Sequence, residues 1–202
     1  MSTTSLRYLP ASRGTLLRLR QQLELARRGK SVLEMRRDQL IKEIFAMLDK
    51  LKMRAKVEEK YIKALEEVNH LRLNRREPEF SSIASLVKPP IIDALMVSVQ
   101  GVPVPQVRIL KEPDFSQVRD PEYRSALVAL WEAIKNLIEI TNIEMAVERL
   151  CAQLSYINRV VNSLEENFIP TLEETIRYIE EKIEEEMLEE FVRLKRYSRV
   201  GV

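Results

Sequence analysis

The sequence predicts an all-α fold: a long antiparallel two-helix coiled coil, or helical hairpin, with a small β-hairpin in the connecting segment. Three observations predict it. The 202 residues include only 4 Gly against 32% charged residues, which suits long helices better than a turn-rich globule. A stretch at each end of the chain carries apolar residues at three- and four-residue steps, the spacing of a coiled-coil seam. Between them, two β-rich runs flank Gln100–Gly101, the arrangement of a tight hairpin.

The N-terminal helix is expected within residues 1–77. From Ser12 to Asn74 there is no proline, and Leu16, Leu19, Leu23, Leu33, Leu40, Ile44, Met47 and Leu51 recur at seam spacing. Gly29 lies inside it and costs about 1 kcal/mol relative to Ala in a helix interior. Pro78 closes the stretch, because proline lacks an amide donor and clashes with the preceding turn. Residues 78–119 form the connecting segment, with the β-hairpin at about 94–109. Pro103 and Pro105 are two apart, so their missing amides share one edge of a strand, which only an outer edge tolerates. Asp120–Pro121–Glu122 is a helix start: a capping carboxylate, a proline suited to the first position and an acid against the positive dipole end. The C-terminal helix is expected over 120–202, with a seam through Leu150, Leu154, Ile157, Val161, Leu164, Phe168, Leu172, Ile176, Ile179, Ile183, Met187, Phe191 and Leu194. The steps from 164 to 176 are all four, a stutter in the heptad. Pro170 sits inside it, so a kink or loosened turn is expected there. The seam positions singled out are Leu16, Leu23, Leu40, Ile44, Leu154, Ile157, Val161, Leu164, Ile179 and Ile183.

Charge suggests an alignment of the two helices. Residues 180–190 are rich in Glu, with only Lys182 opposing, whereas the first helix carries Arg18, Arg20, Arg27, Arg28 and Lys30 around Glu24. Placing residue i opposite residue 210 − i sets Arg20 by Glu190, Lys30 by Glu180, and Arg36 and Arg37 by Glu174 and Glu173. Arg7, Arg13 and Arg18 then meet Arg193, Lys195, Arg196 and Arg199, so the end holding both termini is expected to be basic. Its functional reading is a patch that faces an acidic or carbonyl-lined partner; its plain reading is a solubilising helix end.

The composition excludes several classes. A net charge of +2 and a sequence pI near 8.6 are too mild to indicate nucleic acid. Cys151 is the single cysteine, so no internal disulfide forms and a reducing compartment is expected; a partly buried thiol beside the seam is its expected state. Met1 to Arg13 has no apolar core of signal-peptide length, and nowhere do 18 apolar residues run together, which reads as a soluble chain. His70 is the only histidine, so His-based triads and metal sites are unavailable; a surface position near the helix end is expected. The glycines are isolated, so no phosphate-cradling loop exists and no cofactor is expected. The Glu180–Glu190 run reads as a solvated or salt-bridged face rather than a metal site. Trp131, Tyr156 and Tyr178 are expected to flank the seam.

Four blocks resemble a known family. Pro10 to Arg20 (PASRGTLLRLR) and Leu25 to Leu40 (LARRGKSVLEMRRDQL) are similar to the opening of the D-subunit family of V-type and A-type ATP synthases. Asn158 to Glu165 followed by Ile169 to Ile179 (NRVVNSLE, IPTLEETIRYI) resembles its C-terminal helix, and Glu190 to Lys195 (EFVRLK) its closing block. The blocks cover both long helices; the middle third matches only in character, and Val160 stands where the family pattern has Arg. The resemblance implies a non-catalytic central-stalk rotor in a peripheral complex on the cytoplasmic face of the membrane. It would couple ion translocation through the membrane ring to ATP synthesis or hydrolysis. The implied partners are the hexamer of A and B subunits, the F subunit, and the C subunit that forms the socket on the ring, with no nucleic acid and no direct membrane insertion. Under it, Arg13, Arg18, Arg20, Arg193, Lys195 and Arg196 form the bearing in the hexamer bore. The alternative is a prefoldin-like or adaptor coiled coil, which would need apolar tips where basic ones are expected; an RNA-gripping helical arm ranks third.

Overall fold

The computed structural model describes residues 10–74 and 77–200, with the backbone alone at 77 and 197–200. In chain order the elements are α1 (Arg13–Leu51), α2 (Arg54–Asn74), α3 (Glu77–Leu86), β1 (Ile91–Val99), β2 (Val102–Lys111), α4 (Pro121–Ser163), a π turn (Leu164–Phe168) and α5 (Ile169–Val200). The fold is therefore helical with one antiparallel two-stranded sheet. Two compact units divide it: Met1–Asp38 with Ser155–Val202, and Gln39–Leu154.

In the first unit the start of α1 runs antiparallel to α5. Ser12 caps α1, its Oγ accepting from the Thr15 amide at 3.2 Å and its carbonyl from the Leu16 amide at 2.9 Å. Leu19, Leu172, Ile176 and Ile179 are buried together, with Leu16, Leu23 and Ile183 packed against them. Ile157 and Val161 are also buried, and Leu164 is half-buried. Gly29 sits on α1 with nothing within 4 Å of where a Cβ would stand. Gly29→Ala should therefore stabilise the chain by about 0.5–1 kcal/mol, because it removes backbone freedom from the unfolded state at no steric cost. A melting temperature that falls would contradict this.

The alignment differs from the charge-based one. Arg20 pairs with Glu180 and Arg27 with Glu173, each at 2.6 Å, and Lys30 with Glu165 at 3.0 Å. The residue sums are thus 200, 200 and 195 rather than 210, and Arg20 does not meet Glu190. The correction has a simple origin. An exposed ion pair is worth about 0.2–1 kcal/mol, whereas burying one Leu or Ile is worth about 1.5–3 kcal/mol. Leu19 among Leu172, Ile176 and Ile179 therefore fixes the register, and the charges take what it leaves. Arg28 turns to Glu24, Lys182 to Glu185 and Arg193 to Glu189, all within their own helices. The Lys30 ammonium is held above the ordinary lysine range, chiefly by its hydrogen bond to Glu165.

The loosened turn at Pro170 is a π turn. The Ile169 amide donates to the Leu164 carbonyl, five residues back. A heptad alternates steps of three and four, and the three successive fours from 164 to 176 hold one residue too many. A π turn is how a helix absorbs one extra residue. Pro170 follows it, lacking an N–H, and the Thr171 hydroxyl donates to the Asn167 carbonyl at 2.6 Å. Phe168 does not stay in the seam; it is 43% exposed.

In the second unit the proline-free stretch is not one helix, as the sequence led us to expect. A turn at Lys52–Met53 separates α1 from α2, with the Met53 amide on the Lys50 carbonyl at 3.2 Å. Neither residue is a helix breaker, so nothing in the sequence marks the place. Pro78 likewise does more than end a helix. It lies in the first turn of α3, where a missing amide costs nothing. α2 lies antiparallel to α4, with Arg54 on Glu144 at 3.0 Å. The start of α4 is as read: Asp120 Oδ1 accepts from the Glu122 amide at 3.0 Å.

β1 and β2 pair from Val99↔Val102 outward, and the turn holds Gln100 and Gly101 at φ of 49° and 74°. Two successive positive φ values make a type I′ turn, whose twist matches that of the strands. The alternation then makes Ser98↔Pro103 and Met96↔Pro105 non-hydrogen-bonded pairs, so both prolines turn their missing N–H to the outer edge. Val107 is next in that series, and its outward amide and carbonyl are both taken by the Asn142 side chain of α4, at 2.8 and 2.9 Å. Val102 and Val104 are buried on the inner face, and Leu40, Ile44, Trp131, Ile140, Ala146 and Leu150 are buried on the helices.

Candidate functional site

α5 builds its outer half from a change in composition. Through Ile183 its apolar residues pack on α1; from Glu184 to Arg196 the helix carries Leu188, Phe191 and Leu194, exposed by 65%, 65% and 68%. An amphipathic pattern continued by exposed apolar side chains is a candidate contact surface. Arg193, Lys195 and Arg196 lie among these residues.

The six basic residues singled out from sequence are not brought into one cluster. Arg20 is level with Glu180, about 20 Å along α5 from Arg193 at 1.5 Å per residue. Arg13 places its guanidinium 3.9 Å from the Met187 sulfur, Arg18 is exposed on α1, and Arg193 is 3.5 Å from Glu189. Arg7 lies outside the described residues, and Arg199 is described in backbone only. What sequence reasoning misses is the apolar component, because the spacing of Phe191 and Leu194 continues the seam. Exposure, not spacing, distinguishes them.

Of the seam residues singled out, Leu40, Ile44, Ile157, Val161 and Ile179 are buried, while Leu16, Leu23, Leu154, Leu164 and Ile183 are half-buried. Trp131 is buried, but Tyr156 and Tyr178 are exposed. Cys151 is exposed, not partly buried as expected, because it follows the fully buried Leu150 and so points about 100° away from it around the helix. His70 is exposed on α2.

Among the described residues, no group of three or more His, Cys, Asp or Glu side chains is placed to hold a metal ion. Glutamates of the 180–190 run are instead engaged in salt bridges to Arg20, Lys182 and Arg193. Among the described residues, no helix is long and apolar enough to cross a membrane. The hairpin offers a second surface. Ile92 and Met96 are exposed on its outer face, where they pair with Ile109 and Pro105.

Comparison with known proteins gives a consistent answer. The sequence model of the family described as the D subunit of ATP synthase matches residues 15–199. The chain is 31% identical to the A-type ATP synthase D subunit of Methanosphaera stadtmanae over 96% of its own length and 95% of that relative. It is 31% identical to the protein of the same name from Methanopyrus kandleri, over 92% and 83% of the two chains, and 32% identical to that of Methanobrevibacter smithii, over 91% and 84%.

Proposed function

The chain belongs to the D-subunit family of ATP synthases, and from that premise we propose that it is the non-catalytic central-stalk rotor of an A-type ATP synthase. It couples ion flow through a membrane ring to ATP synthesis or hydrolysis in a hexamer of A and B subunits. The F subunit and the socket-forming C subunit are its partners toward the ring, and the complex sits on the cytoplasmic face of the membrane. The observation that carries this reading is the outer half of α5, which continues its amphipathic pattern past Ile183 with Leu188, Phe191 and Leu194 exposed. A shaft end that turns inside a protein sleeve needs that composition. Leu188, Phe191 and Leu194 give apolar contact, and Arg193, Lys195 and Arg196, with Arg13 and Arg18 on α1, give diffuse positive charge that tolerates sliding. Arg20, held by Glu180, serves cross-helix stiffness as well.

Reconstitution of the A and B subunits with and without this chain, with a bead on the chain, tests the reading directly. ATP hydrolysis should turn the bead, and the complex lacking the chain should not support rotation. Phe191→Asp with Leu194→Asp should weaken association with the hexamer at least tenfold and leave the melting temperature of the free chain within about 2 °C, since exposed substitutions rarely cost more than about 0.5 kcal/mol. The same exposed residues favour a holdase as second reading. If the chain suppressed aggregation of unfolded clients and never joined the hexamer, that reading would replace the rotor.

A further inference from the structure

Where the π turn displaces Phe168 from the seam, it also builds a surface. Tyr156, Val160, Leu164 and Phe168 recur at four-residue steps along the end of α4 and the turn, and with Arg159 and Ser163 they line a shallow groove of about 520 Å³. Tyr156 and Phe168 are exposed by 56% and 43%. A ring at a seam position would ordinarily be buried, so its exposure beside a second ring and two aliphatic side chains marks a contact surface rather than a stray apolar residue.

The groove is open along one side, whereas small-molecule sites are concave and enclose most of their ligand. Its polar character is one-sided. Arg20, Arg27 and Arg28 on α1 each hold a glutamate, and Glu165 next to the groove is engaged by Lys30. Arg159 has neither an ion pair nor a hydrogen bond among the described residues, and no carboxylate lines the groove. An apolar trough with one unengaged guanidinium at its rim complements an apolar side chain that has a carboxylate beside it, because a carboxylate can take two parallel hydrogen bonds from the guanidinium plane.

We propose that this groove is a docking site for a protein segment that seats a large apolar side chain between Tyr156 and Phe168 and offers an Asp or Glu to Arg159. The proposal rests on the rotor reading, in which that segment belongs to the sleeve of A and B subunits. It adds a second contact, remote along the chain from the outer half of α5 and different in chemistry.

The test uses the full chain and the reconstituted hexamer of A and B subunits. Arg159→Glu should weaken association about tenfold, Arg159→Gln by a smaller factor, and Phe168→Ala by about tenfold, with the melting temperature of the free chain unchanged for both Arg159 variants. A benzophenone amino acid in place of Phe168 should photo-crosslink to a hexamer peptide with an Asp or Glu within about three residues of an apolar side chain. Three results would overturn the proposal: unchanged association of both Arg159 variants, a crosslink confined to this chain, or a crosslinked peptide without an acid. If the unsubstituted chain fails to join the hexamer, the rotor reading fails and the groove with it. If it joins and the variants join equally, only the groove is wrong.

Discussion

Deleting Pro170 should leave the chain folded and at least as stable, whereas deleting Glu174, four residues on, should destabilise it by about 3–6 kcal/mol. Both deletions shorten the same helix by one residue, and Glu174 is exposed, so neither removes a side chain from the buried cluster. The difference lies in helical phase. The π turn at Leu164–Phe168 holds the one residue by which the steps from 164 to 176 exceed a heptad. Removing Pro170 turns those steps from four, four, four into four, three, four. The turn can then close as ordinary α-helix, while Leu172, Ile176 and Ile179 keep facing Leu19. The chain also sheds the one residue that could not donate in a closed helix, where proline costs about 3 kcal/mol. Removing Glu174 instead turns every later residue by about 100°. Ile176 and Ile179 leave the cluster, at about 1.5–3 kcal/mol each, and Ile183 follows. Urea unfolding followed by circular dichroism reads the difference; equal destabilisation by the two deletions would mean the π turn does not act as the phase correction.

That experiment also marks how far the sequence can be read. The stutter and Pro170 are visible in the spacing of the apolar positions, and at Leu164–Phe168 a π turn absorbs the extra residue. The hairpin is visible because Gln100–Gly101 sits between two β-rich runs, and the spacing of Pro103 and Pro105 even assigns them to an outer edge. Charge alone misplaces α1 against α5 by ten residues or more in the residue sum, because charge is conspicuous in a sequence and weak in a structure. Glu180 and Arg20 do meet, but only after Leu19, Leu172, Ile176 and Ile179 have chosen where. The break at Lys52–Met53 has no glycine or proline to announce it. The candidate contact surface is half legible: Arg193, Lys195 and Arg196 stand out, whereas Phe191 and Leu194 look like more seam, since periodicity names a face and not what covers it.

Asn142 lies beyond any sequence reading, and substituting it should have the next largest effect. It sits on α4, 35 residues after Val107, and bonds both outward-facing backbone groups of that residue. Asn142→Ala should lower stability by about 2–3 kcal/mol: two hydrogen bonds at about 0.5–1.5 kcal/mol each, with a further cost for part-buried backbone groups left without a partner. The loss should be local in a way that an ordinary core substitution is not. A two-stranded sheet is marginal in water without something to pack on, and the edge of β2 has few ways to be held. Pro103 and Pro105 have no amide to offer, so Val107 is the first residue of that edge series, counted from the turn, where a side chain can grip both donor and acceptor. Its amide should therefore be protected from hydrogen exchange in the native chain and exchange at least tenfold faster in Asn142→Ala. Amides in the first unit, around Leu19 and Ile179, should keep their protection. Uniform loss of protection across both units would instead make Asn142 an ordinary contributor to global stability. A loss confined to the hairpin would identify it as the residue that pins the sheet to α4, and through that pin sets where the exposed Ile92 and Met96 face is presented.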